Sequence, residues 1–288
     1  MTELPANVKA LARMIAPCTL CPRRCSVDRG AGQVGACRIG SQAVVVSVGP
    51  HFGEEPVLVG RGGSGTIFLA GCNLDCVFCQ NADISHSSEG RQMPAGEMAR
   101  AALRLAAMGC ENVNFVTPTH VTHAVGEAIA LARRGGLTVP IVYNCGGYES
   151  SETLRLLEGL VEVYMPDFKY ADADAGLKYS GVPDYPAVAA ETLAEMYRQV
   201  GPLETDESRV AVRGVLVRHL VMPGDLANSR EVIETVARIA PGAALNVMAQ
   251  YRPCFRANEY PELSRRPRLE AVRALQALAD ERGLPRPE

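Results

Sequence analysis

Short apolar segments alternate with helical patterns along most of the chain, and this alternation limits the fold more than any other feature of the sequence. Six apolar segments after residue 65 have the length of strands: 66–70, 112–116, 139–143, 161–165, 210–217 and 244–248. Between them apolar residues recur at spacings of three and four, which predicts crossover helices. Strands that alternate with helices form a parallel sheet. The sequence therefore predicts an α/β domain, built either as a partial barrel or as a doubly wound sheet.

The first 60 residues differ in composition from the rest. The segment from Pro17 to Gly65 is rich in glycine, proline and cysteine, and it contains one clear strand, at 43–48. It ends in the stretch 60–65, whose glycines are typical of a turn-rich linker. We therefore predict a small cysteine-rich N-terminal unit at residues 1–60 and a main domain at residues 61–288.

Charge and hydropathy exclude two classes of partner. The 29 basic and 32 acidic residues give a net charge of −3, so the chain lacks the positive field that attracts nucleic acid. No apolar run approaches the roughly 20 residues that span a bilayer, and residues 1–17 lack the continuous apolar stretch of a signal peptide. We expect a cytoplasmic protein with neither a nucleic-acid nor a membrane partner.

The chain has ten cysteines, which is unusual for a protein expected in the cytoplasm, where disulfides do not persist. Seven of them precede residue 80, at positions 18, 21, 25, 37, 72, 76 and 79. Such clustering favours metal binding. Cys110, Cys145 and Cys254 stand alone, and isolated cysteines are usually small buried hydrophobic residues.

Cys72, Cys76 and Cys79 lie in the loop that directly follows the first strand of the main domain. Iron-sulfur clusters normally take four cysteines, so three cysteines leave one iron open to a ligand other than the protein. A structural zinc site would need a fourth ligand nearby, and this spacing does not supply one. The motif therefore favours an iron-sulfur cluster.

Cys18, Cys21, Cys25 and Cys37 place four thiols within twenty residues. Four thiols are a complete ligand set either for structural zinc or for a second iron-sulfur cluster, and the spacing does not separate the two. The alternative is that these cysteines bind no metal. A small glycine-rich unit has too little hydrophobic core to be stable without a cross-link, however, so we predict a separate metal site here.

Polar residues follow the predicted strands at the point where each strand ends. Ligands of parallel α/β folds bind at the carboxyl ends of the strands, so these residues are the candidates for the functional site. They are Thr117, Thr119 and His120 after the second strand of the main domain, Asn144 and Gly146 after the third, Asp167 and Lys169 after the fourth, and Arg218 and His219 at the end of the fifth.

Two of these positions carry a more specific expectation. Lys169 is one of only three lysines in the chain, which favours a cofactor or substrate role over an ordinary ion pair at a strand end. Successive side chains of a strand point to opposite faces, so we expect one of Arg218 and His219 to face the site. Glu54 and Glu55, close to the linker, are expected on a solvated face.

The three-cysteine spacing on this loop, with the aromatic Phe78 before the third cysteine, resembles the signature of the radical S-adenosylmethionine (SAM) superfamily over roughly residues 61–260. The resemblance implies a partial (β/α)6 barrel. It also implies a [4Fe-4S] cluster on Cys72, Cys76 and Cys79 whose fourth iron is chelated by SAM. One electron from the cluster would cleave SAM into methionine and a 5′-deoxyadenosyl radical, so the protein must position the cofactor and exclude competing reactions.

Within the superfamily the chain looks most like proteins related to pyruvate formate-lyase activating enzyme. The residues that carry this likeness are 71–73, 144–148, 167–169 and 217–224. The likeness implies removal of hydrogen from a glycyl residue of a partner enzyme and an electron donor such as flavodoxin or ferredoxin. The alternatives are radical modification of a peptide, another protein or a small molecule, and a nonenzymatic iron-sulfur or zinc scaffold.

The same resemblance implies that the polar residues at the strand ends, together with Phe78, contact the cofactor. Asn144 and Gly146 match the turn that contacts the ribose. Residues 117–120 stand where better-known members have a Gly-Gly-Glu motif that binds the amino group of SAM, so Thr117, Thr119 or His120 would have to replace that contact.

Overall fold

The computed structural model describes residues 3–287, and within them the chain forms nine strands and ten α-helices. The strands are β1 (Ala43–His51), β2 (Ser64–Leu69), β3 (Arg91–Met93), β4 (Asn112–Val116), β5 (Ile141–Cys145), β6 (Val163–Pro166), β7 (Glu204–Thr205), β8 (Ala211–Leu220) and β9 (Ala244–Met248). The helices are α1 (Ala6–Arg13), α2 (Pro56–Val59), α3 (Ala82–Ser85), α4 (Ala95–Ala107), α5 (Thr122–Arg134), α6 (Ser151–Arg155), α7 (Ala173–Ser180), α8 (Tyr185–Val200), α9 (Ser229–Ile239) and α10 (Leu269–Glu281).

The sheet is mostly parallel. Strands β2, β4, β5, β6, β8 and β9 are neighbours in that order, and each pair is parallel. These are the six strands predicted from the apolar segments. Three antiparallel strands complete the sheet, with β1 and β3 beyond β2, and β7 beside β8. The α/β prediction is confirmed, and the strand order is consistent with a partial barrel.

The core lies between the sheet and the helices that cover it. Every residue of β4 and of β5 is buried, as expected for parallel strands covered on both faces. Helix α4 buries Met98, Ala101, Ala102 and Leu105, and this apolar stripe at helical spacing lies against the sheet and α5. None of the helices in residues 3–287 is long and apolar enough to cross a membrane.

The N-terminal segment contributes to the main sheet. β1 pairs with β2 antiparallel, with partners that run from Val45 and Leu69 to His51 and Ser64. Helix α1 packs against α5. The unit boundary at residue 60 stays a prediction, and β1 is part of the central sheet although it precedes that boundary.

Candidate functional site

The loop with Cys72, Cys76 and Cys79 leaves the carboxyl end of β2 through Gly71. Gly71 has φ +81°, and a Cβ atom there would lie 2.6 Å from the carbonyl oxygen of Cys37, so only glycine fits without a backbone shift. Two backbone hydrogen bonds hold the loop against the end of α7: Val77 N donates to Tyr179 O at 2.9 Å, and Asp75 N donates to Ser180 O at 3.2 Å. The loop conformation is thus fixed from both sides.

Of the three cysteines, Cys76 is buried and Cys72 and Cys79 are half-buried. Cys76 Sγ lies 3.0 Å from Ser180 Oγ, and Cys79 Sγ lies 3.0 Å from Ser85 Oγ. Burial raises the pKa of Cys72 to about 12 and also raises the pKa of Cys76, while the Lys169 ammonium acts in the opposite direction on both. A metal ligand must be a thiolate, and coordination itself removes the thiol proton. Three adjacent thiols with a cation beside them fit an iron-sulfur cluster.

A cavity of about 230 Å³ opens beside the loop at the carboxyl ends of the strands. The residues around it come from the cysteine loop, from β8 and β9, and from the segments that follow β6, β8 and β9. They are Cys76, Phe78, Cys79, Gln80, Asn81, Asp167, Lys169, Arg218, Leu220, Met222, Met248 and Gln250. The cavity therefore brings together cysteines and charged residues that the sequence analysis singled out separately.

Asp167 is the centre of the charged side of this cavity. Its carboxylate accepts a hydrogen bond from Lys169 Nζ at 2.6 Å and one from Arg218 Nε at 3.0 Å. Burial alone would raise the pKa of Asp167, but the two cations hold it below its usual value. Burial alone would likewise lower the pKa of Lys169, and Asp167 is the main cause that holds it above the usual value. All three groups are therefore charged at neutral pH.

Glu54 supplies the second negative charge of this network. Its carboxylate lies 3.5 Å from Arg218 Nη1 and accepts hydrogen bonds from Asn114 Nδ2 at 3.1 Å and Asn144 Nδ2 at 3.2 Å. The expectation of a solvated face is wrong for Glu54 and for Glu55, which is buried and accepts hydrogen bonds from Asn246. Lys169, Arg218, Asp167 and Glu54 form one network of two cations and two anions that we call the charge quartet, and Glu55 lies close enough to interact with Arg218 electrostatically.

Asn144 lies near the end of β5 and Gly146 directly follows that strand, next to residues that line the cavity. Arg218 Nη2 donates to Asn144 Oδ1 at 2.8 Å. A Cβ atom on Gly146 would lie 2.9 Å from Leu74 Cδ1, so glycine allows the cysteine loop to approach this turn. Gly147 has φ +76°, and a Cβ atom added there would lie 2.0 Å from the carbonyl oxygen of Asp167. Only glycine is therefore tolerated at this position.

Thr117, Thr119 and His120 are placed differently from the residues around the cavity. Thr117 has φ 60° and bends the chain directly after β4. Thr119 Oγ1 donates to Glu149 Oε1 at 2.6 Å, and His120 Nε2 lies 2.8 Å from the carbonyl oxygen of Ala70. Both side chains are buried away from the cavity. Burial lowers the pKa of His120 to about 3, so the ring is neutral at pH 7.

Phe78 and His219 differ in the same way. Phe78 lines the cavity and packs on Tyr170 and Tyr251, with ring centroids 6.3 and 6.1 Å away. His219 is fully buried on the other face of β8, where Nδ1 lies 2.7 Å from the carbonyl oxygen of Phe168. Of Arg218 and His219, Arg218 is the residue that lines the cavity.

Glu149 is a buried acid that the sequence analysis did not select. Besides Thr119, its carboxylate accepts a hydrogen bond from Tyr143 OH at 3.1 Å, and burial raises its pKa to about 7. Tyr143 OH is in turn 2.8 Å from Thr122 Oγ1. In the sequence, Glu149 could have been selected as the acidic residue between Tyr148 and Ser150, next to the glycine-containing turn after β5.

The four N-terminal cysteines line one small cavity. Cys18, Cys21 and Cys37 are buried and Cys25 is half-buried. The same cavity is bordered by His120 and by other residues of the N-terminal and cysteine loops. His120 Nε2 donates its ring proton to Ala70 O, and the buried Nδ1 has no hydrogen-bond partner within residues 3–287. The cavity is thus lined by four cysteines and by a histidine with one unpaired ring nitrogen.

Arg29 adds a buried positive charge to this cavity. Its side chain is 1% exposed and donates to the carbonyl oxygens of Gly40 at 2.9 Å and His120 at 2.6 Å. It lies 3.9 Å from Cys18 Sγ and, in the described part of the chain, forms no ion pair with a carboxylate. A buried guanidinium requires a counter-charge, and the four thiols are the groups available to provide one.

A sequence profile described as the Radical SAM superfamily matches residues 66–236, which is more than half of the chain. The match contains the cysteine loop, β2, β4, β5, β6 and β8, and thus most of the site described above. The chain belongs to the radical SAM superfamily. Members of this family hold a [4Fe-4S] cluster and SAM, so the expected pair of cofactors is supported.

The chain is also similar to two known proteins. A protein of Methanocaldococcus jannaschii, named Uncharacterized protein MJ0674, is 32% identical over 289 residues, which cover 98% of this chain and 79% of that protein. The structure of the radical S-adenosylmethionine methyltransferase TsrM from Kitasatospora setae, with cobalamin and a [4Fe-4S] cluster bound, gives a TM-score of 0.44 at 15% identity. That alignment covers 65% of this chain and 37% of the methyltransferase, and likeness at this level carries no argument about activity.

Proposed function

We propose that the chain is a radical SAM enzyme that cleaves SAM reductively and abstracts a hydrogen atom from its substrate. The main support for this proposal is that Cys76 and Cys79 line the same cavity as Asp167, Lys169 and Arg218, three members of the charge quartet. When bound, the [4Fe-4S] cluster and SAM supply one electron and a 5′-deoxyadenosyl radical. An external donor such as flavodoxin or ferredoxin provides the electron.

The residues around the cavity have distinct proposed tasks. Cys72, Cys76 and Cys79 hold the cluster, and Phe78 shields it from one side. Asp167, Lys169, Arg218 and Asn144 bind the polar parts of SAM, and Gly146 leaves room for the cofactor turn. Preorganised charges of this kind orient a ligand without reorganisation at the moment of reaction.

Thr117, Thr119, His120 and His219 have a different proposed task. Their side chains or backbone groups support the segments that carry the site, since Thr117 N donates to Asn144 O at 2.8 Å and His219 contacts the carbonyl oxygen of Phe168. We propose that they position the cofactor-binding turns. A buried support of this kind restricts the side chains that do touch the ligand.

The target of the radical has two candidates. The first is a small molecule, which is supported by the segment 117–120, since it differs from the Gly-Gly-Glu motif of the better-known members. The motifs at 144–148, 167–169 and 217–224 support the second candidate, activation of a glycyl residue in a partner enzyme. Radical modification of a peptide or of another protein is the remaining alternative.

We expect the anaerobic, dithionite-reduced protein to convert SAM into 5′-deoxyadenosine and methionine, which chromatography detects. A nonenzymatic iron-sulfur or zinc scaffold would give no product, and that result would contradict the proposed function. Electron paramagnetic resonance after addition of a candidate glycyl radical enzyme separates the targets. A persistent glycyl radical signal would support activation, and its absence with every glycyl radical enzyme encoded in the source genome would favour the small molecule.

We also propose that Cys18, Cys21, Cys25 and Cys37 hold a second metal centre, either zinc or an iron-sulfur cluster. Both kinds of centre with four thiolates are anionic, which would give Arg29 the counter-charge that it lacks. A zinc centre would act as a structural staple, whereas a cluster could also relay electrons.

Metal analysis tests this second centre. We expect a variant with Cys72, Cys76 and Cys79 all changed to alanine, purified without oxygen, to retain either about one zinc or about four irons per chain. Changing Cys21 and Cys37 to alanine in that background should remove the remaining metal. A triple variant that contains neither zinc nor iron would show that the second centre does not exist.

A further inference from the structure

A second cleft, of about 480 Å³, lies beside the barrel mouth. It is formed by the segment after β8, the start of α9 and the start of α10. Met222 lines both this cleft and the cavity with Cys76 and Cys79, so the two share a wall. Neither the family nor the proposed function accounts for this cleft.

The cleft is strongly positive although the whole chain has a net charge of −3. Its lining contains four arginines, Arg230, Arg265, Arg266 and Arg268, and a single acidic residue, Asp225. In the part of the chain that the structure describes, none of the four arginines forms an ion pair with a carboxylate, although Arg230 has a weaker electrostatic interaction with Glu234. We call this feature the arginine cleft.

Asp225 does not neutralise the arginines. Its carboxylate accepts a hydrogen bond from the backbone N of Ser229 at 2.9 Å, at the start of α9. The remaining charge of about three units, from four guanidinium groups and one carboxylate, calls for a ligand with more than one negative charge. Phosphate and diphosphate groups have that charge, and their oxygens match the paired N–H donors of arginine.

The start of α10 supplies a second, independent contribution. Arg268 is the N-cap residue, and its side chain makes no capping hydrogen bond. The first backbone N–H groups of a helix have no partner within the helix and attract anions. Ala271, in the first turn of this 13-residue helix, lines the arginine cleft. The helix end and the arginines therefore favour the same kind of ligand.

The shape and the remaining lining favour a small ligand over a protein partner. Val221, Met222, Pro267, Ala274 and Leu275 add an apolar surface to the cleft. A concave site of a few hundred Å³ with apolar walls and a few charged groups is typical of small-molecule binding. A docking surface for an acidic protein would be flatter.

We propose that the arginine cleft binds the phosphate group of a small-molecule substrate whose reacting part enters the neighbouring cavity past Met222. This inference rests on the small-molecule target of the proposed function. It specifies the substrate class as a phosphorylated or diphosphorylated compound. The arginines bind and orient the substrate and take no part in hydrogen abstraction.

The test is calorimetric titration of the full chain with inorganic pyrophosphate. We expect saturable binding of one pyrophosphate per chain, weakened by added salt. Changing Arg265→Ala and Arg268→Ala together should raise Kd at least about tenfold, because each charged hydrogen bond contributes to binding. The matched control changes Arg104→Ala and Arg134→Ala, two exposed arginines of α4 and α5, and should leave Kd unchanged.

Two outcomes would overturn the proposal. One is the absence of saturable binding by the wild type, and the other is an equal loss of affinity in both double variants. If pyrophosphate does not bind but the cleft variant lowers ferredoxin-driven and not dithionite-driven SAM cleavage, the cleft docks an acidic protein instead. Failure of wild-type SAM cleavage with dithionite would contradict the proposed function, while pyrophosphate binding tests the cleft separately.

Discussion

Changing Cys76→Ala will lower the rate of 5′-deoxyadenosine formation by more than about 100-fold, because even substitutions outside the ligand set of a metal site typically cost about 10–100-fold. Cys76 lines the cavity together with Asp167 and Lys169, and Cys79, the other cysteine among the lining residues, is itself a proposed ligand of the cluster. The iron content of the anaerobically purified variant should fall as well. Chromatography and iron analysis measure the two effects.

The fold should survive this substitution. The loop around Cys76 is held by the backbone hydrogen bonds from Asp75 and Val77 to the end of α7, and neither involves the sulfur. Cys110→Ala is the matched control, because Cys110 is equally buried but lies in the hydrophobic core away from the cavity. That variant should keep full cleavage activity and lose about 1 kcal/mol of stability. Full cleavage activity in Cys76→Ala would remove this cysteine from the cluster.

The main sheet and the cysteine loop were predictable because their signals are local. The apolar segment 112–116 is β4 and the segment 244–248 is β9, with the same bounds. The strand predicted at 210–217 ends too early, because β8 continues through Arg218 and His219 to Leu220. Polar side chains at the end of a buried strand interrupt the apolar pattern, although the backbone hydrogen bonds of the strand continue. In parallel folds the ligands bind at these strand ends.

Glu54 could not be located from its sequence neighbourhood. Its contact with Arg218 joins residues 164 positions apart, and it depends on the antiparallel pairing of β1 with β2. That pairing returns the segment after His51 to the edge of the barrel. Two adjacent acidic residues near a glycine-rich linker are usually exposed to solvent. Here they are buried because of contacts between segments that are far apart in the sequence.

His120 illustrates a different limit. Its place after β4 predicted a cofactor contact, but the direction of its side chain depends on the backbone of Thr117. A positive φ for a threonine is rare, and no pattern in the sequence signals it. The bend at Thr117 turns His120 toward Ala70 and the N-terminal cysteines. The residue type was informative, and the local backbone decided which site it borders.

The charge quartet leads to the second large effect, which is a loss of stability. Lys169, Arg218, Asp167 and Glu54 sum to zero charge, so Arg218→Met leaves one net negative charge and Asp167→Asn leaves one net positive charge. Removing one partner of a buried ion pair typically costs about 3–5 kcal/mol. We expect each single variant to lose about 3 kcal/mol of unfolding free energy, measured by urea denaturation and circular dichroism at pH 7.

Combining the two substitutions restores a neutral group of Lys169 and Glu54, so the double variant should lose less than the sum of the singles, by about 2 kcal/mol. Additive losses would show that the four charges do not act as one group. The exposed pair Arg282 and Glu234, 2.8 Å apart, is the matched control and should show almost no coupling, because water screens it.

The lowered pKa of Asp167 also predicts how the loss of stability in Arg218→Met changes with pH. In the wild type the pKa of Asp167 is lowered, so its ionised form stabilises the fold above the unfolded pKa, and this contribution is lost as the pH falls through the folded value. In Arg218→Met, Asp167 keeps Lys169 but loses the larger of the two charges that lower its pKa, so burial raises that pKa and the variant loses stability as the pH increases. The difference in unfolding free energy between wild type and Arg218→Met should therefore shrink from pH 8 to pH 5. A difference that stays constant over this range would mean that Arg218 stabilises the barrel by packing alone.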